Sequence, residues 1–311
     1  MRLIFMGTPD FSLPSLERLA GSGHRIEAVV TRPDRPRGRG LRSSPPPVKE
    51  LAVSLGLPVL QPESLKDPDF FRQLSGYGAD LFVVVAFRIL PQEIVSLPSR
   101  GTIDVHPSML PRYRGAAPIQ WALINGETRT GVSVFYIDRK IDAGDIIRQR
   151  AVDIDPHETA GELSEKLARV SAEVLLEVID EMDRGEVTTI SQEGAESSPA
   201  PKISRQHGRI HWDRPAAELK NLIRGLNPWP GAYTAFGGRT IKIYRADLAG
   251  PSPDDTPPGE ITAADKHAGL VINTADGRLS LIEVQLEGKR RMNSAEFLRG
   301  FRIQAGDRFE V

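Results

Sequence analysis

The chain has 311 residues, of which 40% are hydrophobic and 26% charged, enough for two globular domains with cores of their own. Its formal net charge of −1 excludes a protein that binds polyanions over its whole surface, so any contact with nucleic acid has to come from a local patch. It has no cysteine, which excludes disulfides, thiolate metal ligands and a cysteine nucleophile and is typical of a cytoplasmic enzyme.

The N-terminal part predicts the start of a parallel α/β sheet. Residues 2–6 are predicted to form a short buried strand, a helix begins at about Ser12 and ends before Gly21, and residues 26–31 form the next strand. Two strands joined through a helix are parallel, with a right-handed crossover. The first turn has the single Gly7 in place of the Gly-x-Gly-x-x-Gly pattern, so no nicotinamide cofactor is expected.

A basic segment follows, from Arg32 to Arg42. It holds five arginines and one acidic residue, Asp34, and its prolines and glycines prevent packing as a helix or a core strand. Two interpretations remain open. The segment is either a solvated loop whose charges only improve solubility, or a basic loop near a crevice that clamps a phosphate backbone.

Two strands in the middle of the chain end at residues that can carry chemistry. Residues 80–86 form a continuous apolar run, typical of a strand buried on both faces, and lead into residues 87–91. A further strand over residues 101–106 is ended by Pro107, which leaves His106 at its carboxyl end and Asp104 two residues earlier on the same face. The carboxyl ends of strands are where open α/β sheets bind ligands.

A second strand, predicted over residues 131–137, leads into a loop that contains Asp138 and Asp142. Two strand-end loops of this kind can bring His106 and Asp142 together across a crevice. The alternative is that His106 is a structural residue, satisfied at the end of its strand and without a chemical role.

The chain after this loop is predicted to contain a long helix and a linker. Apolar spacing predicts a short helix over residues 119–124 and one long amphipathic helix over residues 159–183. Residues 188 to about 204 are polar, with glycine, serine and proline, and indicate a linker. The predicted organisation is therefore a first domain at residues 1–188, a linker at 189–207 and a second domain at 208–311.

The second domain is predicted to be a small β-barrel that resembles the oligonucleotide-binding (OB) fold. Its short strands, separated by turn signals, lie at residues 232–236, 240–244, 259–262, 270–273 and 279–286. Trp212 and Trp229 are predicted to be core residues rather than base-stacking platforms, because aromatic side chains dominate cores. Four further histidines lack ligand spacing, so no metal site is predicted; they are His157, His207, His211 and His267.

Motifs from the first strand to about Tyr244 resemble the superfamily of formyltransferases that use 10-formyltetrahydrofolate. They are Phe5–Phe11, Pro33–Pro36 with Gly38–Gly40, His106–Gln120, Asn125–Thr128 with Thr130–Val132, Asp142–Asp145, Ala200–Ile203, Asn221–Arg224 and Asn227–Tyr233. The block at residues 106–120 identifies the superfamily. The basic segment and the Asn-Pro-Trp-Pro-Gly element favour the branch that acts on initiator methionyl-tRNA over relatives that formylate glycinamide ribonucleotide or sugar nucleotides.

This resemblance implies a fold, a reaction and partners. The fold class is α/β, with a Rossmann-like, mostly parallel sheet domain followed by a small OB-like β-barrel that binds tRNA. The reaction is transfer of the formyl group of 10-formyltetrahydrofolate to the amino group of initiator methionyl-tRNA, for translation initiation, without a metal. The protein is expected to be a cytoplasmic monomer. No apolar run reaches membrane-spanning length, and the apolar part of the N-terminus is too short for a secretion signal.

The same resemblance implies a catalytic trio at Asp104, His106 and Asp142, where the family has asparagine, histidine and aspartate. A neutral amine has to attack the formyl carbon, an oxyanion has to be stabilised and a proton has to leave the nitrogen. An imidazolium and an amide N–H can donate to the oxyanion, while the carboxylate of Asp142 can orient His106 and help relay protons. An ionised Asp104 has no donor and would repel the oxyanion, so we predict either impaired catalysis or a protonated Asp104.

Further site residues are implied by the resemblance alone. The residues that correspond to the pteridine pocket and the formyl site are Phe87, Arg88, Ile89, Leu90, Ser108, Pro111, Gly115 and Asp138. Arg88 departs from many enzymes of the tRNA branch, which have a longer, glycine-containing loop there, and resembles the glycinamide ribonucleotide enzymes. The candidate tRNA contacts are Arg35, Arg37, Arg39, Arg42, Lys202 and Arg205.

Two other functions stay open on the sequence alone. The first is a formyltransferase that acts on a small amine such as a nucleotide sugar, whose binding would depend weakly on salt. The second is a folate or tRNA binder with impaired catalysis, which only Asp104 suggests.

Overall fold

The computed structural model describes residues 1–37 and 42–310, so Arg39 of the basic segment lies outside the described residues. The strands are β1 Arg2–Gly7, β2 Arg25–Val30, β3 Arg35–Arg37, β4 Arg42–Ser44, β5 Val59–Leu60, β6 Leu81–Val85, β7 Thr102–His106, β8 Arg129–Tyr136, β9 Ile146–Asp153, β10 Ala232–Phe236, β11 Arg239–Leu248, β12 Ile261–Asp265, β13 Gly269–Asn273, β14 Arg278–Leu286 and β15 Met292–Asn293. The α-helices are α1 Leu13–Ala20, α2 Pro47–Ser54, α3 Pro68–Gly76, α4 Gln92–Val95, α5 Pro118–Ile124, α6 Ala160–Arg184, α7 Ala216–Gly225 and α8 Ser294–Gly300, and two 3-10 turns are Asp10–Ser12 and Arg205–Gly208.

The described chain forms two compact units. The first unit comprises residues 1–115, 129–153 and 164–200, and the second comprises residues 116–128, 154–163 and the chain from Pro201 onward. Each unit therefore takes segments from separate parts of the chain, which local composition does not reveal.

The first unit is built on a seven-stranded sheet in the order β5-β2-β1-β6-β7-β8-β9. The first five strands of this order are parallel, whereas β8 and β9 are antiparallel to their neighbours. Every residue of β6 is buried, as its uninterrupted apolar run predicts for a strand covered on both faces. The predicted Rossmann-like, mostly parallel sheet is confirmed.

The direction of β8 changes the explanation for how the candidate site is assembled. β8 pairs antiparallel with β7, so that Ser133 lies opposite His106 and Tyr136 lies opposite Ile103. The end of β8 is therefore beside the start of β7, not beside His106. Asp142 reaches His106 because the loop of residues 137–145 returns before β9 begins, and not because two parallel strands end at one edge.

The second unit contains an antiparallel sheet in the order β10-β11-β14-β13-β12, with β15 paired to β14. Its two edge strands are linked through the end of the chain. Glu310 forms a bridge to Ala235 in β10, and Arg308 forms a bridge to Glu260, which directly precedes β12. This closure gives the small antiparallel barrel that the strand spacing predicts.

Of the two tryptophans predicted to lie in the core, only Trp212 does. Its ring is fully buried, stacks on Phe309 with the centroids 5.6 Å apart, and donates from Nε1 to Thr234. The prediction for Trp229 is wrong, because this side chain is 55% exposed. The turn that carries it is anchored instead by Asn227, whose side chain is buried and donates to the Tyr244 carbonyl at 2.8 Å. Over the described residues, no helix is both long and apolar enough to cross a membrane.

Candidate active site

His106 ends β7 with its ring almost fully enclosed, at 6% exposure. Its Nε2 lies 2.8 Å from the carbonyl oxygen of Tyr113. A carbonyl can only accept, so Nε2 carries the proton and the neutral ring has its lone pair on Nδ1. Nδ1 lies 3.7 Å from Oδ2 of Asp142, which places the only available ring nitrogen beside a carboxylate.

Asp142 is held in place by the backbone of a neighbouring loop. Its Oδ2 accepts a hydrogen bond from the N–H of Gly115 at 2.7 Å. Its own backbone is in the left-handed region, with φ 51°, which is rarely occupied by residues other than glycine. The loop can close this tightly because Gly144 has no side chain: a Cβ there would lie 1.8 Å from the Tyr136 carbonyl oxygen.

Gly115 is expected not to tolerate even a methyl group. Its φ is 125°, and a Cβ would lie 2.6 Å from the Ala200 carbonyl oxygen. Gly115→Ala should therefore lower the free energy of unfolding by about 2–4 kcal/mol and lower activity as the N–H that holds Asp142 shifts. Urea denaturation and an activity assay test this. Gly76→Ala in α3, where a Cβ meets nothing within 4 Å, is the control and should stabilise by a few tenths of a kcal/mol.

Charge at His106 is set by two opposing effects. Burial lowers the pKa of His106, while the carboxylate of Asp142 and the hydrogen bond to Tyr113 raise it, and burial is the larger effect. The ring is therefore uncharged at neutral pH, and Nδ1 is free to accept a proton. The cation that would result has Asp142 on one side and a carbonyl on the other, both of which stabilise it.

Asp104 lies two residues before His106 and is partly buried. Its Oδ1 accepts a hydrogen bond from the N–H of Val105 at 2.8 Å. Burial, and then the negative charge of Asp142, raise the pKa of Asp104 to about 7, against the effect of the Val105 hydrogen bond. A large fraction of Asp104 is therefore protonated at neutral pH, and the protonated carboxyl has an O–H donor that the ionised form lacks.

The loop between His106 and Tyr113 is fixed by buried hydroxyl groups. Ser108 is fully buried, and its Oγ donates to the Arg112 carbonyl at 2.7 Å. Ser133 in β8 donates to the Ser108 carbonyl at 2.7 Å and accepts from the N–H of Leu110 at 3.1 Å. Pro111 of this loop follows a cis peptide bond and is partly buried. Ser108 thus shapes the loop that carries the Tyr113 carbonyl.

The loop after β6 places its predicted site residues in different surroundings. The guanidinium of Arg88 donates to the carbonyls of Pro62 and Glu63 at 2.9 and 3.3 Å and lies over the Phe87 ring at 5.2 Å. Burial, and then the charges of Arg32 and Arg35, lower the pKa of Arg88. Ile89 is 78% exposed, whereas Phe87 and Leu90 pack against the core of the sheet.

A cavity of about 680 Å³ lies beside the Asp142 loop in the first unit. Asp138 lines it, together with Arg114, Tyr136, Ile137, Lys140, Ala143, Gly144, Asp145 and residues 191–195. Polar backbone and side-chain groups of the loop after β8 thus face a space large enough for a small organic molecule. Within the described residues, no three side chains form a group able to hold a metal ion.

The residues predicted to contact tRNA lie in both units. Arg35, Arg37 and Arg42 belong to a two-stranded hairpin of β3 and β4, in which Arg37 pairs with Arg42. Arg35 is exposed, as are Lys202 and Arg205 of the second unit.

One residue that contacts the site loops has no marker in the sequence. Gln192 lies in the polar stretch predicted to be a linker, yet it is 4% exposed and binds the carbonyls of Asp142 and Gly144. A single glutamine among serines, glycines and acidic residues carries no periodic or motif signal that could have identified it.

Both parts of the chain match known families. Residues 1–179 match the family described as formyl transferase, and residues 202–302 match the family described as formyl transferase, C-terminal domain. The methionyl-tRNA formyltransferase of Pelotomaculum thermopropionicum is 44% identical over 98% of this chain and 97% of that protein. The methionyl-tRNA formyltransferase of Moorella thermoacetica is 45% identical over 99% of this chain and 98% of that protein.

Solved structures with low sequence identity share the fold. Methionyl-tRNA formyltransferase from Clostridium thermocellum superposes with a TM-score of 0.56 at 17% identity, over 80% of this chain and 94% of that one. The sugar 3N-formyl transferase WlaRD, crystallised in the presence of dTDP and 5-N-formyl-THF, superposes with a TM-score of 0.66 at 17% identity, over 93% of this chain and 99% of that one.

Proposed function

The chain belongs to the formyl transferase family, and we propose that it transfers the formyl group of 10-formyltetrahydrofolate to the amino group of initiator methionyl-tRNA. The observation that carries this function is the identity of 44–45% to methionyl-tRNA formyltransferases over nearly the whole of both chains. A formyltransferase for a small amine is not favoured, because these relatives, which match nearly the whole chain, are all methionyl-tRNA formyltransferases.

In the proposed reaction the amine nitrogen attacks the formyl carbon, and the bond from that carbon to the folate nitrogen breaks. The proton that leaves the amine ends on the folate nitrogen, so tetrahydrofolate and the formylated aminoacyl-tRNA are the products. We assign this transfer to Nδ1 of His106, because Nε2 is committed to the Tyr113 carbonyl. Asp142, 3.7 Å from Nδ1, stabilises the imidazolium that forms in between.

Protonated Asp104 is proposed to perform the role of the asparagine that the family has at this position. It presents a neutral O–H donor to the oxyanion that develops on the formyl oxygen. The pKa of about 7 supports this role, because an ionised carboxylate would repel the same oxyanion.

The folate co-substrate is proposed to bind along the loops after β6, β7 and β8. The residues assigned to it are Phe87, Arg88, Ile89, Leu90, Ser108, Pro111, Gly115 and Asp138. The cavity of about 680 Å³ that Asp138 lines supports this assignment. Residues 1–188 are proposed to hold the catalytic side chains, and residues 208–311 to contact tRNA together with the basic segment.

Formyl transfer from 10-formyltetrahydrofolate tests this function directly. The acceptors to compare are initiator methionyl-tRNA, elongator methionyl-tRNA and a nucleotide amino sugar. We expect formylated product with the initiator alone, and its formation should weaken steeply with salt. Product with the amino sugar and none with either tRNA would assign the protein to the small-amine enzymes.

Lys202 and Arg205 are expected to bind the phosphate backbone of the tRNA. Both are exposed, and replacing both with alanine should weaken binding at low salt and reduce the slope of log K against log salt by roughly 1.5, since each phosphate contact contributes about 0.7–0.9. Filter binding across salt concentrations measures the slope. Arg72→Ala, on a helix without predicted tRNA contacts, is the control and should leave it unchanged. An unchanged slope in the double variant would remove both residues from the interface.

A further inference from the structure

Residues 190–200 of the first unit lie against both loops of the candidate site, and we call this segment the strap. At its start, Ile190 exchanges two hydrogen bonds of 2.8 Å with Ile146, the first residue of β9. Near its end, the N–H of Arg114 donates to the Ser198 carbonyl at 2.9 Å, and the N–H of Ala200 donates to the Arg114 carbonyl at 2.6 Å. The strap is thus fixed at both ends within this unit.

Between these ends, Gln192 connects the two loops through its side-chain amide. Nε2 donates to the carbonyls of Gly144 at 2.6 Å and Asp142 at 3.2 Å. Oε1 accepts from the guanidinium of Arg114 at 2.7 Å. Carbonyls only accept and a guanidinium only donates, so these partners permit a single orientation of the amide.

The connected loops are the ones that determine where the Asp142 carboxylate lies. Arg114 directly precedes Gly115, whose N–H binds that carboxylate, and it follows Tyr113, whose carbonyl binds His106. The N–H of Tyr113 in turn donates to the hydroxyl of Ser198 in the strap at 2.9 Å. The hydrogen bonds of Gln192 therefore join the backbone that carries Asp142 to the backbone that fixes its partner.

We propose that Gln192 is a positioning residue for formyl transfer, which holds the Asp142 loop so that the carboxylate stays beside the reactive ring nitrogen. This inference rests on the proposed function. The side-chain hydrogen bonds of Gln192 in the described structure go to the Arg114 side chain and to the carbonyls of Asp142 and Gly144, so it acts on Asp142 through the backbone. A displacement of about 1 Å in a catalytic group can reduce the rate by two orders of magnitude. Loss of the hydrogen bonds of the buried Gln192 is therefore expected to slow the reaction.

Two variants of Gln192 separate positioning from folding. Gln192→Ala removes all three hydrogen bonds, whereas Gln192→Glu keeps a partner for Arg114 and loses both donors to the loop carbonyls. In each, kcat should fall about 10- to 100-fold, with KM for initiator methionyl-tRNA within about threefold of wild type. Gln92→Ala, an exposed glutamine at the start of α4, is the matched control and should behave as wild type.

A double-mutant cycle with Asp142→Asn tests whether Gln192 acts through Asp142. In the Asp142→Asn background, adding Gln192→Ala should cost less than about threefold in single-turnover rate, because the positioned carboxylate is already gone. A purely structural role predicts the same fold loss in both backgrounds. That result, or a kcat within twofold of wild type in either single variant, would overturn the proposal.

Hydrogen–deuterium exchange gives a readout that does not depend on the reaction. In Gln192→Ala, peptides with residues 113–116 and 142–145 should exchange about tenfold faster, while peptides from β1 and β6 stay protected. Unchanged exchange rates in these loop peptides would overturn the proposal that Gln192 holds the two loops. If the wild-type protein does not formylate initiator methionyl-tRNA, the proposed function fails, and exchange still decides whether Gln192 holds these loops.

Discussion

Above pH 7 the Asp104→Asn variant is expected to exceed the wild-type protein in formyl transfer, by a factor that grows about tenfold with each further pH unit. Only protonated Asp104 has a donor for the oxyanion, and with its pKa raised to about 7 the protonated fraction falls tenfold per unit above that pH. The asparagine amide donates at every pH. The measurement is the ratio of kcat/KM for initiator methionyl-tRNA between the two proteins from about pH 6 to about pH 9, in which ionisations common to both cancel.

The matched control for this titration is Asp153→Asn, which neutralises an exposed carboxylate at the end of β9. The ratio of kcat/KM between this variant and the wild-type protein should stay near one at all pH values. A constant ratio for Asp104→Asn would show that the charge of Asp104 does not limit the reaction. Activity in the variant with none in wild type at any pH would identify the natural chain as an impaired enzyme.

The same substitution should change stability in a predictable direction. Because the pKa of Asp104 is higher in the folded protein than in the unfolded chain, the unfolded chain ionises first as pH rises. The free energy of unfolding contributed by this group is therefore full below about pH 4 and is lost between about pH 4 and 7, by on the order of 4 kcal/mol at most. Asp104→Asn should remove this loss, and urea denaturation at about pH 5 and pH 8 measures it.

Replacement of His106 by alanine is expected to produce the largest loss of activity in the molecule. Without Nδ1 no side chain takes the proton of the attacking amine, so kcat should fall by about two to four orders of magnitude. Asp142→Asn keeps an oxygen for the Gly115 N–H but removes the charge that stabilises the imidazolium, and should cost about two orders. Single-turnover assays with saturating 10-formyltetrahydrofolate measure the rate of each variant.

The control for these two variants is His267→Ala, an exposed histidine in the turn between β12 and β13, which should keep full kcat. KM for tRNA should change little in His106→Ala, since the ring is buried and no tRNA contact is assigned to it. A kcat within tenfold of wild type would remove His106 as the proton acceptor and return it to the structural interpretation.

The positions of strands with a clear local apolar pattern were predictable from the sequence. Whether a strand runs parallel or antiparallel to its neighbour was not predictable in every case. β6 is a run of five buried residues, and such a run admits few other interpretations. The antiparallel pairing of β8 depends on contacts with β7, which no local pattern encodes. His106 and Asp142 were therefore correctly expected to lie close together as residues of two strand-end loops. The antiparallel direction of β8, which requires the loop of residues 137–145 to turn back toward His106, was not expected.

Other features depend on the burial of single side chains. A protonated Asp104 was one of two alternatives that the sequence left open, because its pKa depends on its enclosure and on the charge of Asp142. In the turn of residues 227–231 the buried side chain is Asn227, which donates to the Tyr244 carbonyl, whereas Trp229 is exposed. The strap lies in the stretch predicted to be a linker from its polar composition and lack of periodicity. Its hydrogen bonds through backbone groups and one glutamine leave no apolar pattern in the sequence.

The strap also determines where this protein can be divided. A truncation after residue 188, at the end of the predicted first domain, keeps all seven strands of the main sheet with His106 and Asp142. It removes the backbone that pairs with Ile146 and Arg114, together with the amide that joins the two site loops. Such a fragment is expected to be compact and inactive, with its loops open to proteolysis. The smallest piece that retains a formed active site therefore extends to Ala200, well beyond the end of α6.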